Sequence, residues 1–127
     1  MEWQDAMPFG GHLGIEAVSA GPDEVRLRLA WREELCTAGG LMHGGALMAL
    51  ADSAGGICAF LNLPDGAKGT ATIQSSTNFL RPLRDGYAEA ISRPLSVGRN
   101  VIAVETDVVD ASGRAVARVL QSQAVLR

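Results

Sequence analysis

The segment Leu41-Met42-His43-Gly44-Gly45-Ala46-Leu47-Met48-Ala49-Leu50-Ala51-Asp52 places an imidazole and a carboxylate in an otherwise apolar run, where packing favours neither. A buried polar group costs free energy unless it is hydrogen-bonded, so both side chains need partners. His43 stands where the run turns helical. The first N–H groups of a helix lack intrahelical partners and carry the positive end of its dipole, so that end favours a negative or polarised oxygen. Gly44 and Gly45, without side chains, let a ligand approach those amides closely. His43 and Asp52 are nine residues apart, which on one helix is roughly 13 Å and half a turn out of phase. They cannot touch within one chain. Two readings stay open: His43 caps the helix while Asp52 hydrogen-bonds in a core, or both serve one site and Asp52 is supplied by a second copy.

The elements around this pair follow from periodicity. Val25, Leu27, Leu29 and Trp31 alternate with Arg26, Arg28 and Ala30, the period of a strand with one face on the core. A bend at Gly39-Gly40 leads into an apolar helix from about residue 44 to 61, closed by Asn62-Leu63-Pro64-Asp65-Gly66. Beyond Gly69 the pattern is strand-like to the end, with strands expected near 70–80, 86–98, 100–110 and 114–125. Arg81-Pro82-Leu83-Arg84-Asp85-Gly86 and Asp110-Ala111-Ser112-Gly113 are turn-rich, and the second is read as a hairpin connection between antiparallel neighbours. A helix apolar on nearly all sides must be covered on most of them, and the strands of one chain suffice to curl around it. The expectation is an α+β hotdog fold: one long central helix wrapped by a curved antiparallel sheet of five to six strands. Gly45, Ala49, Gly55 and Gly56 would permit close approach of another backbone, so two copies are expected to associate; the alternative is a monomeric α+β domain.

Composition bounds the rest. The 127 residues suit a single domain, 1–127, and the apolar fraction of 47% with 20% charged residues is ordinary for a globular chain, while 5% aromatics leaves small aliphatics to fill the core. A net charge of -3 offers no basic stripe for a phosphate backbone, which argues against a nucleic-acid partner. Cys36 and Cys58 lack metal-ligand spacing, so no metal is expected, and Met1-Glu2-Trp3-Gln4-Asp5 lacks the basic-then-apolar layout of a signal peptide. A cytoplasmic setting follows. Gly44 to Leu61 is short for a membrane span and carries Asp52 and four glycines, so it is read as a buried helix and no membrane partner is expected.

The run His43-Gly44-Gly45 with Leu50-Ala51-Asp52, followed by Thr77-Asn78-Phe79-Leu80-Arg81-Pro82, Val97-Gly98-Arg99 and Asp110 to Ala117, closely resembles the PaaI-type acyl-CoA thioesterases, related to the 4-hydroxybenzoyl-CoA thioesterases. Pro8-Phe9 and Leu13-Gly14-Ile15 fit the same pattern, so the resemblance spans nearly the whole chain. It implies a homodimer at least, commonly paired into a homotetramer. It implies that the Gly44 amide binds the thioester carbonyl and stabilises the oxyanion, and that Asp52 of a partner chain is the nucleophile or the base that activates water. His43 would position or polarise the thioester, and Thr72 matches a hydroxyl that orients the carboxylate or the water. Thr37 and Gly45 would line the substrate. Where the family often carries Asn or Gln, six residues before the histidine, this chain has Thr37, whose hydroxyl lacks an amide's reach.

Coenzyme A, part of the substrate and not a cofactor, carries phosphates that Arg81, Arg84 and Arg99 could meet at strand ends. A phenylacetyl-like or medium acyl group, and with it a role in phenylacetate degradation, comes from the resemblance; Leu47, Met48, Ile57 and Phe60 say only that an apolar pocket can form. The rival functions are a hotdog hydratase or dehydratase, a non-catalytic acyl-CoA-binding protein and a purely structural interaction protein.

Overall fold

Period-two alternation is realised along the sheet: Val25, Leu27 and Leu29 are buried while Arg26 and Arg28 stand on the other face. The computed structural model describes residues 6–127; Met1 to Asp5, read above for the layout of a leader, lie outside the described residues. In chain order the elements are a short helix α1 (Pro8–Leu13), strands β1 (Glu16–Ala20) and β2 (Val25–Ala30), and two single 3-10 turns (Glu33–Leu35 and Ala38–Gly40). The long helix α2 (Gly44–Phe60) follows, then β3 (Gly69–Phe79), β4 (Tyr87–Val97), β5 (Val101–Asp110) and β6 (Ala115–Leu126). The strands form one six-stranded sheet in the order β1-β2-β4-β5-β6-β3, with every neighbouring pair antiparallel. Helix α2 lies against β2 to β6 on the inner face. The hotdog architecture and the helix and strand positions thus match the expectation within a residue or two at each end.

Two elements were not anticipated. Helix α1 is only six residues with two glycines, too short for a helical period; Pro8 starts it and Gly14, in the left-handed conformation, ends it. Strand β1 is exposed along its whole length, so burial imposes no alternation on its sequence. Trp31 lies just beyond β2, and its indole N–H donates to the carbonyl of Gly40 at 3.1 Å.

Small aliphatics do fill the core. Ala51, Ala54, Ala59, Ala88 and Ala90 are fully buried, whereas Phe9, Phe60 and Phe79 are exposed. Small side chains bring helix and sheet close, most tightly at Gly55, where an added Cβ would lie 1.9 Å from Oε1 of Gln121 and 3.2 Å from Cγ2 of Val104. Gly55 therefore meets the chain's own sheet and not another copy, a correction to the packing role expected of it. The opposite side of α2 is uncovered: Gly45, Met48, Asp52 and Phe60, at helical spacing, are exposed. This is why the helix is apolar on nearly all sides, since the stripe that water should face carries Met48 and Phe60 at 43% exposure each.

Candidate active site

At the start of α2 the backbone of His43 is extended (φ -61°, ψ 134°) and its Nδ1 accepts the N–H of Gly45 at 2.7 Å. The N–H groups of Ala46 and Leu47 go to the carbonyl of His43 at 2.9 and 3.2 Å. Among the described residues that leaves the N–H of Gly44 as the first-turn amide with no hydrogen bond in the chain. The amide of Gly45 is taken by the cap, while the residue itself stays exposed. An Nδ1 that accepts carries no proton, so the neutral ring holds its hydrogen on Nε2. His43 is a helix cap through one nitrogen and keeps a donor on the other. Phe79 of β3 lies over Gly44: a Cβ there would sit 3.0 Å from its Cζ. Gly44, Leu47, Thr37, Phe79 and Arg81 line a cleft of about 420 Å³.

Asp52 lies at the chain surface on the uncovered stripe and not in a core. Thr72 Oγ1 donates to its Oδ1 at 2.8 Å and Gln121 Nε2 donates to the same oxygen at 2.7 Å. Gln123 Nε2 donates to Thr72 Oγ1 at 2.6 Å, so the Thr72 hydroxyl hydrogen is directed to the carboxylate. Among the described residues Oδ2 accepts no hydrogen bond. Asp52 opens on a cleft of about 460 Å³ whose apolar lining includes Met7, Ile57, Phe60 and Ala71. Thr72 is where the sequence reading places it, at the carboxylate. Gln121 and Gln123 were missed, although the signal was available: they occupy the alternate, core-facing positions of β6 that continue Ala117 and Val119, where an apolar residue is the rule.

The remaining candidates divide by position. His43, Gly44 and Asp52 open into three separate clefts of one chain. Arg81 and Arg84 share a further cleft of about 390 Å³ with Arg114, and Arg81, Pro82 and Leu83 also line the Gly44 cleft, so the two adjoin. Arg81 donates to the carbonyl of Ala115 at 3.3 Å. Arg99 sits in the turn between β4 and β5, at the Gly69 end of the sheet, away from Arg81 at the Phe79 end. The three arginines therefore do not converge within one chain. Burial pushes the Cys58 thiol up to about 11, which makes it a packed, inert group. The Asp110 carboxylate accepts the backbone N–H of Arg114 and of Ser112, each at 2.9 Å, and Arg114 Nε at 2.9 Å; these bonds, the Arg114 amide foremost, hold it below the usual carboxylate range.

The geometry has counterparts in known proteins. Residues 39–117 match the family described as Thioesterase superfamily. A Mycobacterium tuberculosis protein named "Putative esterase Rv1847" is 30% identical over 114 residues, which cover 88% of this chain and 81% of that protein. The crystal structure of thioesterase HI1161 from Haemophilus influenzae superposes with a TM-score of 0.88 at 26% identity, over 94% of this chain and 82% of that one. A mutant of the phenylacetic acid degradation protein PaaI from Thermus thermophilus superposes with a TM-score of 0.85 at 26% identity, over 94% of this chain and 99% of that one. Among the described residues no helix is long and apolar enough to cross a membrane.

Proposed function

Since the chain belongs to the thioesterase superfamily, and is a thioester hydrolase on that ground, we propose that it hydrolyses acyl-CoA, with an aromatic or medium acyl group of the phenylacetyl kind, at sites shared between two copies. The observation that carries this reading is the division along one helix. A free amide sits at its start, at Gly44, and a carboxylate with one unengaged oxygen sits two turns on, at Asp52, in a different cleft.

Symmetry offers a way to bring the two together. Asp52 is tied to Thr72 near the start of β3 and Gly44 to Phe79 at its end. Strand β3 is an eleven-residue edge with Ile73 62% and Phe79 51% exposed, and Leu80 just beyond it 58% exposed, a surface that an isolated chain would have to protect. Antiparallel pairing of two such edges about a two-fold in mid-strand carries the Thr72 end of one copy toward the Phe79 end of the other. It also lays the two uncovered stripes of α2 side by side. In that dimer the carboxylate of one copy meets the helix start of its partner, and Arg99 of one approaches the Arg81 end of the other.

The chemistry follows. The thioester carbonyl oxygen accepts from the Gly44 N–H, with His43 Nε2–H as a further donor that positions or polarises it. Asp52 Oδ2 attacks the carbonyl carbon, or removes a proton from the water that attacks; either way the carbon–sulfur bond breaks and CoA leaves as the thiolate, and in the first route water then hydrolyses the acyl–Asp52 anhydride to the free acid and the carboxylate. Thr72 orients the carboxylate. The Met7, Ile57 and Phe60 cleft takes the acyl chain, the cleft past Thr37 takes the pantetheine arm, and Arg81 and Arg84 meet phosphates. The enzyme so proposed is a single cytoplasmic domain, a homodimer at least, paired again into a homotetramer, and uses no cofactor besides the CoA of its substrate; phenylacetate degradation is the setting that this acyl group implies.

The test is free-thiol release from a panel of acyl-CoAs by the wild type and by Asp52→Asn. Release is expected to be fastest with aryl-acetyl or medium acyl groups and to fall at least about 100-fold in the variant. Hydration of an enoyl-CoA without thiol release, or near-normal release by Asp52→Asn, would overturn the assignment.

A further inference from the structure

Gln121 is almost wholly buried, with 3% of its surface exposed, yet only half of its amide is satisfied. Nε2 donates to Asp52 Oδ1 at 2.7 Å, while Oε1 is buried without a hydrogen-bond partner, in a place that exists only because residue 55 is glycine. An orphaned buried acceptor is costly, and a core position on β6 would be filled at no such cost by Leu or Met. What the chain gains is a neutral donor locked on one oxygen of a surface carboxylate.

We propose that Gln121 is a positioning residue for thioester hydrolysis: wedged between Gly55 and Asp52, it acts with Thr72 to clamp Oδ1, so that Oδ2 is held in one orientation for the reaction. The inference rests on the assignment of Asp52 as the reacting carboxylate. Two donors converge on the same oxygen from adjacent strands, Thr72 from β3 and Gln121 from β6, and Gln123 fixes the direction of the Thr72 hydroxyl from behind. An Asp side chain held at one oxygen by two donors loses its freedom to rotate, and the unengaged oxygen is then the one that meets substrate or water. The amide presents nitrogen to Asp52 because an ionised carboxylate only accepts. Gly55 belongs to the same device, since a Cβ there would fall 1.9 Å from Oε1 and drive the amide off its partner.

The experiment compares Gln121→Met, Gln121→Glu, Gly55→Ala and Asp52→Asn in the full chain, with thiol release from one acyl-CoA substrate and thermal unfolding as readouts. Met has the length of Gln, removes the orphaned oxygen and donates nothing. The expected result is a kcat about 10- to 100-fold lower with KM changed less than about threefold, and a Tm equal to or above that of the wild type. A packing role predicts the reverse, a lower Tm with kcat per folded enzyme retained. Gln121→Glu supplies a donor only while the pair of carboxyls holds one proton, so its kcat is expected to lie above that of Gln121→Met at acid pH and to fall toward it as pH rises. If Gln121→Met does not fold, Gly55→Ala stands in: helix propensity favours Ala over Gly, so a kcat loss at unchanged KM reports the displaced amide. Normal kcat in Gln121→Met, or in Gly55→Ala where the first does not fold, with Asp52→Asn inactive, overturns the positioning role and leaves the thioesterase reading intact. Normal turnover by Asp52→Asn overturns that reading and the clamp together.

Discussion

Replacing Gly44 by proline removes the N–H at the helix start and sets the ring's Cδ in its place, so it tests both the donor and the space its acceptor would occupy. Proline is favoured at the first helical position, where its missing N–H has no intrahelical partner to lose. His43 already holds the extended backbone that a residue before proline requires, with ψ at 134°. The Cβ of any residue at this position meets Phe79 Cζ at 3.0 Å; Phe79 is half-exposed, so its ring can yield by a few tenths of an ångström. Gly44→Ala makes that same contact and keeps the N–H. The ratio of the two variants therefore reports the loss of the N–H together with the Cδ that replaces its hydrogen. If the Gly44 amide stabilises the oxyanion, kcat/KM of Gly44→Pro should fall about 100- to 1000-fold below that of Gly44→Ala, while unfolding midpoints of the two agree within a few degrees. The assay is steady-state thiol release with folding followed by circular dichroism. Activities within about threefold of each other, with both chains folded, would refute the amide's role in the transition state.

Complementation tests the shared site: Asp52→Ala and Gly44→Pro, each inactive alone, should after equimolar subunit exchange recover about a quarter of wild-type activity per chain, because half of the dimers are mixed and each of those has one intact site of two. No recovery in proven heterodimers, or an active monomer, would remove the second copy from the site. Asp110 supplies a pH-dependent term. Its folded pKa lies below the usual value near 4, so its contribution is fully present above that value and lost as pH falls through the lower, folded one. The Tm gap between wild type and Asp110→Asn should be largest near neutrality and close below about pH 4; a gap constant from pH 7 to 3 would show that the charge on Asp110 does not stabilise the turn.

What could be read from the sequence divides by the physics behind each signal. Strands β2, β5 and β6 were legible because burial on one face writes a period of two into the residues, and helix α2 because a long apolar run ends at a cluster of breakers; β3 is nearly as exposed as β1 and was found through its length and strand-forming residues after Gly69, whereas the six-residue α1 and five-residue β1 are too short to leave such a signal. The partners of Asp52 were half legible. Thr72 came from a resemblance, but Gln121 and Gln123 are fixed by cross-strand register, with Gln123 opposite Thr72 in β6, and register appears only once β3 is known to leave the middle of the chain and close on the last strand. The arginines were chosen as strand-end residues, and the same topology sends Arg99 to one end of the sheet and Arg81 to the other.

Nine residues of helical spacing already keep His43 and Asp52 apart in one chain. In the folded chain the helix end with the free amide and the helix middle with the carboxylate are each anchored to a different end of the same exposed strand. A two-fold axis exchanges the ends of an antiparallel strand pair, so in the proposed dimer the operation that buries the β3 edge would also unite the two halves of the site. On that proposal protection of an edge and completion of a catalytic centre are one event, and stability of the dimer and turnover should fail together when that edge is charged.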